Sequence, residues 1–467
     1  MNSLNSNSGW VPHTLIVDRI DSGFYRKTDI DNLKKLSDSN LKLKTLTSLS
    51  TKITDGPHDG YTFVEEGVLF IRSQNIKDAG FYLLDKKYID KEFHDKFQKS
   101  WLKEGDLLIT RIGHYYGNAA VVSKNYIDCN INHAIALVRL KKETDPYFVC
   151  AYINSPTGYQ LYRRLGKSFT SPRVNLADYQ EYLVPIPSNN IQYYIGNKMR
   201  KAEELREEAK RLRDEAEVLF TKQLNLNEFI YEDSSSWKVD EQLLEPYLNV
   251  QYYNKKYLEF QRHLKKQGIK MVPLNSILKC IIKNSSPDES DRSKNGIPSL
   301  IVSDIDPYKI EIRNSKIKVK KEYYEGLKED EILDCDVVIT TAGPPLGEAC
   351  LVVKDMLPLL SGAHVSTLRP NEKITAGYLT VVLNSIVGQL EVEKNSFGIR
   401  QQYIFNDQLT KFRIPLIDMK LQQEIHEKIY GSIKAEIASN QLINAAKEDV
   451  ESLINGNFDD SFINETE

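Results

Sequence analysis

The sequence is an internal duplication, and this constrains the fold more than any composition figure, because a duplicated chain builds one unit twice. Gly105-Asp-Leu-Leu-Ile-Thr-Arg-Ile-Gly113 lies opposite Cys335-Asp-Val-Val-Ile-Thr-Thr-Ala-Gly343, an offset of 230 (335 minus 105). Without a gap, Gly117-Asn-Ala-Ala-Val-Val122 then lies opposite Gly347-Glu-Ala-Cys-Leu-Val352. Asn154-Ser155 and Gly158 fall on Asn384-Ser385 and Gly388, Val174 to Pro185 on Ile404 to Pro415, and Ile191-Gln192 on Leu421-Gln422. Upstream the offset drifts to 228 (274 minus 46): Leu46-Thr-Ser-Leu49 matches Leu274-Asn-Ser-Ile277, and Arg19 to Tyr25 matches Tyr247 to Tyr253. Blocks that recur in one order exclude chance matching.

Periodicity separates two kinds of segment inside each repeat. Asp106-Leu-Leu-Ile-Thr110 and Asp336-Val-Val-Ile-Thr340 are short apolar runs rich in strand formers, and Ala119 to Val122 and Ala349 to Val352 supply the next run. Each block therefore predicts a β-hairpin, with its tip at Arg111 to Tyr116 in one repeat and Thr341 to Leu346 in the other. One helix is expected after each hairpin, over Pro146 to Tyr162 and Thr375 to Val392. Beyond the closing proline the pattern changes. Ala202, Leu205, Ala209, Leu212, Ala216 and Leu219 recur at a 3-4 spacing among Glu, Lys and Arg within Ile191 to Phe220, which is a coiled-coil seam. Leu421 to Ile454 carries Ile425, Ile429, Ile433, Ile437, Leu442, Ile443, Ala446, Val450 and Leu453 in the same manner. A 30-residue helix is ~45 Å long, too long to lie inside one globule. The expected fold class is α+β: two tandem mixed α/β globules, each followed by a long helix. The boundaries are residues 1–190 for the first globule, 191–222 for a central helix, 223–416 for a connector and the second globule, 417–455 for a C-terminal helix and 456–467 for an acidic tail.

Charge follows the same division. Residues 1–190 hold 25 Lys and Arg against 21 Asp and Glu, and residues 243–416 hold 24 against 21, whereas 191–242 hold 9 against 12 and 417–467 hold 4 against 11. The globules are mildly basic and the helices acidic, the sign needed for globules that face phosphate. A net charge of −3 over 467 residues excludes a histone-like polycation. Five cysteines without a C-x-x-C suggest neither a disulfide framework nor a zinc module. The Asn/Ser-rich start lacks the basic and apolar regions of a secretory signal, and no apolar run is long enough to span a membrane. A cytoplasmic protein is expected. No Walker A loop, dinucleotide fingerprint, G-x-S-x-G or H-E-x-x-H is present, and Ala342-Gly-Pro-Pro-Leu-Gly-Glu348 is not an amino-methyltransferase motif.

The order of globule, helix, globule, helix resembles the DNA-specificity subunit of type I restriction-modification systems. The blocks that carry the likeness are Gly105-Asp-Leu-Leu-Ile-Thr-Arg-x-Gly113, the Asn-Ser-x-x-Gly helices, and the strand ends Val184-Pro-Ile-Pro187 and Arg413-Ile-Pro-Leu416. It covers the chain from about Arg19 to Leu453. The resemblance implies that each globule is a target-recognition domain reading one half of a split DNA sequence. It implies that the two helices form an antiparallel coiled coil that spaces the half-sites and docks two methyltransferase subunits. The chain would hold no cofactor, with S-adenosylmethionine on the partner methyltransferase, and a restriction or translocase subunit would be a further partner in a bacterial or archaeal cytoplasm. Antiparallel pairing of the helices of a tandem repeat creates a pseudo-two-fold axis, so one chain presents two different readers as a dimer presents two equal ones.

Candidate DNA contacts follow from side-chain chemistry. In the first tip, Thr110-Arg-Ile-Gly-His-Tyr-Tyr116, Arg111 offers bidentate pairing to guanine, His114 donates or accepts, and Tyr115 and Tyr116 pack on sugar or thymine methyl; alternatively the tyrosines cap the core. The second tip offers Thr340 and Thr341 but no basic residue. A second loop lies between helix and last strand, Arg163-Arg164-Leu-Gly-Lys167-Ser-Phe-Thr-Ser-Pro-Arg173 in one repeat and Asn395-Ser-Phe-Gly-Ile-Arg400-Gln401-Gln402-Tyr403 in the other. Arg and Gln read guanine and adenine through forked groups, and a purely phosphate-binding loop is the alternative. A third candidate is Arg72, Gln74 and Asn75 at a strand exit, matched by Ser303, where polar residues also serve simply as turn formers. Readings from other classes are a specificity module outside type I, a nuclease with an unseen motif, and a helical scaffold whose globules bind protein.

Overall fold

The computed structural model of the chain describes residues 22–58, 60–83, 85–113, 115–167, 172–231, 236–239, 252–283, 286–312, 315–398, 401–461 and 463. The chain divides into two units, residues 1–204 with 438–467, and residues 205–437. Each contains one repeat.

In the first unit, helix α1 (Lys27–Asp38) precedes strands β1 (Lys42–Thr45) and β2 (Ser50–Asp55). Strands β3 (Leu107–Thr110), β4 (Ala119–Val121) and β5 (Ile135–Leu140) follow, then helices α2 (Pro146–Asn154) and α3 (Pro156–Arg164) and strand β6 (Leu183–Ile186). The central sheet has the order β2-β5-β3-β4 and is antiparallel throughout, while β1 pairs with β6. A second sheet, in which Asn130–Ile131 runs parallel to Val68–Ile71, packs beside it. All four residues of β3 are buried. Leu107 and Ile109 face α2 through Phe148, Tyr152 and Ile153, whereas Leu108 joins Ile71, Leu102 and Ile131 on the other side. Cover on both faces is why this strand reads as an unbroken apolar run instead of an alternating one.

The second unit repeats the plan. After helix α5 (Lys255–Lys266) come β7 (Lys270–Pro273), β8 (Leu278–Ile282), β9 (Val337–Thr340), β10 (Ala342–Gly343), β11 (Ala349–Leu351) and β12 (Val365–Pro370). Helices α6 (Ala376–Asn384) and α7 (Ile386–Asn395) and strands β13 (Gln402–Tyr403) and β14 (Arg413–Leu416) complete it. The central sheet order is β8-β12-β9-β11, and β7 pairs with β14.

The residues retained between the repeats hold this scaffold. Arg139 clasps the buried Asp106 carboxylate through two bonds of 2.7 Å, and Arg369 clasps Asp336 at 3.0 and 2.9 Å. The same carboxylates accept the Lys103 and Leu333 N–H groups at the hairpin entry, both at 2.8 Å. The Asn154 amide satisfies both backbone groups of Ala119, at 3.3 and 3.0 Å, and Asn384 does so for Ala349 at 3.0 and 2.8 Å. The single helices expected over Pro146 to Tyr162 and Thr375 to Val392 are each two helices. Ser155 ends one and caps the next through its hydroxyl on the Gly158 N–H, helped by Pro156, which has no N–H to satisfy; Ser385 caps with the Val387 N–H. A Cβ on Gly158 would lie 1.8 Å from the Tyr152 carbonyl oxygen, and one on Gly388 would lie 2.3 Å from that of Leu383. The Asn-Ser-x-x-Gly block is thus a tether, a cap and a close approach.

Two long helices complete the chain: α4 (Asn189–Gln223, 35 residues) and α8 (Met419–Ile454, 36 residues). The alanines of the predicted seam, Ala202, Ala209 and Ala216, are buried, and its leucines half-buried. In the first unit the Ser439 hydroxyl donates to the Ala202 carbonyl (2.7 Å) and Lys198 pairs with Asp449 (2.5 Å). In the second unit Ser432 donates to the Ala209 carbonyl (2.7 Å) and Lys428 pairs with Glu215 (2.6 Å). Both serines lie seven residues apart, as do both alanines, which is the heptad spacing. Among the described residues no helix is long and apolar enough to cross a membrane.

Candidate nucleic-acid interface

The hairpin tip and the second loop, joined through residues such as Ile112 and Arg173 that are 61 apart in sequence (173 minus 112), are spliced together in each repeat. The residue just past the hairpin strand is the splice. The Arg111 N–H donates to the Ala134 carbonyl (2.9 Å), and its carbonyl accepts the Val174 N–H (3.0 Å); Thr341 does the same with His364 (2.8 Å) and Ile404 (3.0 Å). Ile112 bridges Arg173, and in the second repeat this bridge becomes the strand pair β10–β13, Ala342 with Tyr403 and Gly343 with Gln402. The neck of the loop is closed by reciprocal backbone bonds, Lys167 with Arg173 at 2.9 and 3.0 Å and Phe397 with Tyr403 at 2.9 and 2.8 Å. Every one of these partners is displaced by 230 residues between repeats. A shared backbone frame thereby presents different side chains at matching positions.

Several predicted contacts do not sit on the surface. Arg111 is 3% exposed. Its guanidinium donates to the Asp55 carboxylate (2.6 Å), the His133 carbonyl (2.9 Å) and the Val174 carbonyl (3.1 Å), so it fastens β2, the turn before β5 and the second loop instead of pointing at a base. Thr110 and Thr340 are fully buried, because their hydroxyls accept the Asn118 and Glu348 N–H groups (3.0 Å each) that close the hairpin turn. Thr341 is buried by its splice, and Tyr116 is buried in the core that holds Tyr162 and Leu165. Asn75 is buried with its amide bonded to the Arg72 N–H (2.9 Å) and the Tyr82 carbonyl (2.9 Å), the turn-forming role. Arg72 is ion-paired with Asp85 at 2.7 Å.

The remaining candidates stay at the surface. Tyr115 is 36% exposed, Lys167 and Arg173 are exposed at the neck of the first loop, and Gln401 and Gln402 are exposed on the second, with Tyr403 half-buried beside them. Gln74 and Ser303 point outward from equivalent single 3-10 turns, Ser73–Asn75 and Val302–Asp304. His114 and Arg400 lie outside the described residues.

Arg163 belongs to the second candidate loop of the first repeat, but its fixed orientation was not foreseen from the sequence, nor was a histidine pair. Arg163, on the last turn of α3, is exposed while its guanidinium lies 4.9 Å from the Tyr116 ring and 5.4 Å from that of Tyr159, with Nε donating to the Tyr116 hydroxyl at 3.1 Å. The tyrosine and arginine at a four-residue helical spacing, Tyr159 and Arg163, were the available signal. Its neighbour Arg164 instead lies on Phe24 (3.4 Å) and donates to the Phe24 carbonyl. Beneath the first tip, His58 and His133 stack with centroids 4.9 Å apart, and His58 lies 3.4 Å from Asp55. Burial, followed by the neighbouring His58 and Arg111, pushes the His133 imidazole below its ordinary range. In the second repeat Glu348 follows the tip, and burial, reinforced by Asp306, pushes its carboxyl up to about 7. Among the described residues no three His, Cys, Asp or Glu side chains gather as a metal-holding group.

Comparison with known proteins returns the resemblance read from the motifs. The chain is 26% identical over 186 residues to the type I restriction enzyme EcoBI specificity subunit of Escherichia coli, a match covering 38% of each protein. The chain therefore spans about two-fifths of the length of the curated relative it matches. Among solved structures, the S subunit of a type I restriction-modification system from M. genitalium aligns over 91% of this chain and 97% of its own, at 14% identity and a TM-score of 0.47. The HsdS subunit from Thermoanaerobacter tengcongensis aligns over 89% and 97%, at 15% identity and a TM-score of 0.29. No protein-family profile matches the chain.

Proposed function

We propose that the chain is a non-catalytic, sequence-specific DNA-binding subunit that reads a bipartite target. It recruits two adenine-methyltransferase subunits, which bind S-adenosylmethionine, and with them a restriction or translocase subunit, in a bacterial or archaeal cytoplasm. The observation that carries this reading is the pair of spliced loops: one backbone frame, used twice, that holds Lys167 and Arg173 in one repeat where it holds Phe397 and Tyr403 in the other. A scaffold kept constant while its exposed side chains diverge suits two readers of different half-sites. Base edges are distinguished by such side chains, whereas position on the duplex is set by phosphate contacts.

In this reading residues 1–190 and 223–416 hold the recognition domains, and 191–222 and 417–455 are spacer helices paired as an antiparallel coiled coil with pseudo-two-fold symmetry. The heptad-spaced contacts of Ser439 with Ala202 and of Ser432 with Ala209 support that pairing. The acidic character of both helices suits a protein partner more than a phosphate backbone. The test is to express the chain with a DNA-methyltransferase subunit from the same genome and map modified adenines by single-molecule sequencing. One split motif, modified in both halves and lost when the chain is omitted, supports the proposal. Modification indifferent to sequence, or unchanged without the chain, contradicts it.

A further inference from the structure

We infer that the two repeats hold nucleic acid by different physics, the first repeat supplying the salt-sensitive phosphate anchor and the second a salt-insensitive aromatic and amide surface. This deepens the proposed DNA-binding role and rests on it. Arg163, Lys167 and Arg173 surround the neck of the first loop, and 230 residues on the same three positions are Glu393, Phe397 and Tyr403. Three cations are thus replaced by a carboxylate and two aromatic rings.

The cations of the first repeat differ in availability. Lys167 is held by Asp178 at 2.9 Å. Arg163 and Arg173 form no ion pair among the described residues and are both exposed. Arg163 is also preorganised: its place between the Tyr116 and Tyr159 rings, and its bond to the Tyr116 hydroxyl, fix the guanidinium before any ligand arrives. A fixed guanidinium without an ion pair, and a second exposed arginine, are each suited to a phosphate, and each phosphate neutralised releases condensed counterions. At the second neck Phe397 is 41% exposed and Tyr403 lies against the His364 ring at 5.8 Å, next to the exposed Gln401 and Gln402. Aromatic faces and amides bind sugars and base edges with no counterion release. Over the matched spans 163–173 and 393–403 the first carries four cations, Arg163, Arg164, Lys167 and Arg173, and the second two, Lys394 and Arg400.

The experiment uses the full-length chain and a fluorescent random-sequence duplex of about 40 base pairs, with binding followed by anisotropy between 50 and 300 mM KCl. The expected slope of log affinity against log salt falls in magnitude by about 0.9 for R173Q and by about twice that for R163Q with R173Q. F397A with Y403A should weaken binding at every salt concentration and leave the slope unchanged. Equal slopes for unaltered chain and R173Q, or a slope change in F397A/Y403A as large as in the arginine variants, overturns the inference. R173Q guards against misfolding, because the Arg173 side chain makes no hydrogen bond among the described residues. Failure of the unaltered chain to bind duplex at any salt concentration contradicts the proposed function itself, which separates the two outcomes.

Discussion

Arg111 and Asp55 are joined by a 2.6 Å ion pair in which both partners are buried, 56 residues apart in sequence, and this pair fastens the first hairpin tip to β2. Arg111→Ala would leave the Asp55 carboxylate underground with only the exposed Lys99 and His58 nearby. Breaking one side of a buried pair costs about 3–5 kcal/mol. The expected outcome is a loss of that order for the first unit in urea denaturation followed by Trp101 fluorescence. Arg111→Met combined with Asp55→Leu should recover part of it, because an apolar pair removes the stranded carboxylate but leaves the His133 and Val174 carbonyls without the guanidinium.

The Asn384 amide satisfies both backbone groups of Ala349 on β11. Asn384→Ala leaves the Ala349 N–H without its partner at the sheet edge, while the Ala349 carbonyl keeps the Tyr308 N–H at 3.1 Å, and about 1–3 kcal/mol of stability should be lost. Asn384→Asp keeps the acceptor alone and should fall between. Hydrogen exchange at Ala349 reads the local opening directly.

Glu348 gives a pH dependence. Its native carboxyl titrates near 7 against an ordinary 4.5, so the folded state binds a proton more tightly than the unfolded state. Below pH 4.5 both states are protonated and nothing is lost; from there to about pH 7 stability falls as pH rises, and above 7 the penalty is complete. Glu348→Gln should therefore be neutral at pH 4 and stabilising at pH 8. Solvent screening of the half-buried carboxyl limits the gain to about 1 kcal/mol. Thermal unfolding of both chains at the two pH values measures it, and a stabilisation that is the same at both would refute the assignment.

On α4, Ala209 is buried with the Ser432 hydroxyl on its carbonyl. Ala209→Leu inserts three carbons where the backbone of α8 approaches, and such overpacking costs about 1–3 kcal/mol. Lys210→Leu, one position on at an exposed site, is the control and should change stability by less than about 0.5 kcal/mol.

The hairpins and the long helices were legible because their signals are local: strand formers closing on a glycine, and Ala/Leu at 3-4 spacing. The break at Ser155 was legible in principle, since Ser-Pro caps a new helix, yet the apolar pattern of α2 and α3 runs through it. The burial of Arg111 was not legible. Nothing near it in sequence supplies the carboxylate, and a hairpin-tip arginine has the same local pattern whether it pairs with Asp55 or with guanine. Thr110 and Thr340 mislead similarly, because a hydroxyl that closes a turn and one that contacts a base are the same residue in the same place. The matched positions at the loop necks became visible only once the backbone bridges aligned Lys167 with Phe397 and Arg173 with Tyr403.

The central claim is that one chain reads two separated half-sites. Gln401 and Gln402 are exposed at the second loop, and replacing a base-reading side chain costs about 1–3 kcal/mol of discrimination at the bases it contacts. The most direct measurement is selection from a randomised duplex pool by the full-length chain, followed by sequencing, for the unaltered protein and for Q401A/Q402A. The account predicts a split motif with a fixed gap, and in the variant relaxation of one half with the other half and the gap unchanged. Enrichment of no motif, of one contiguous motif, or relaxation of both halves together would contradict it.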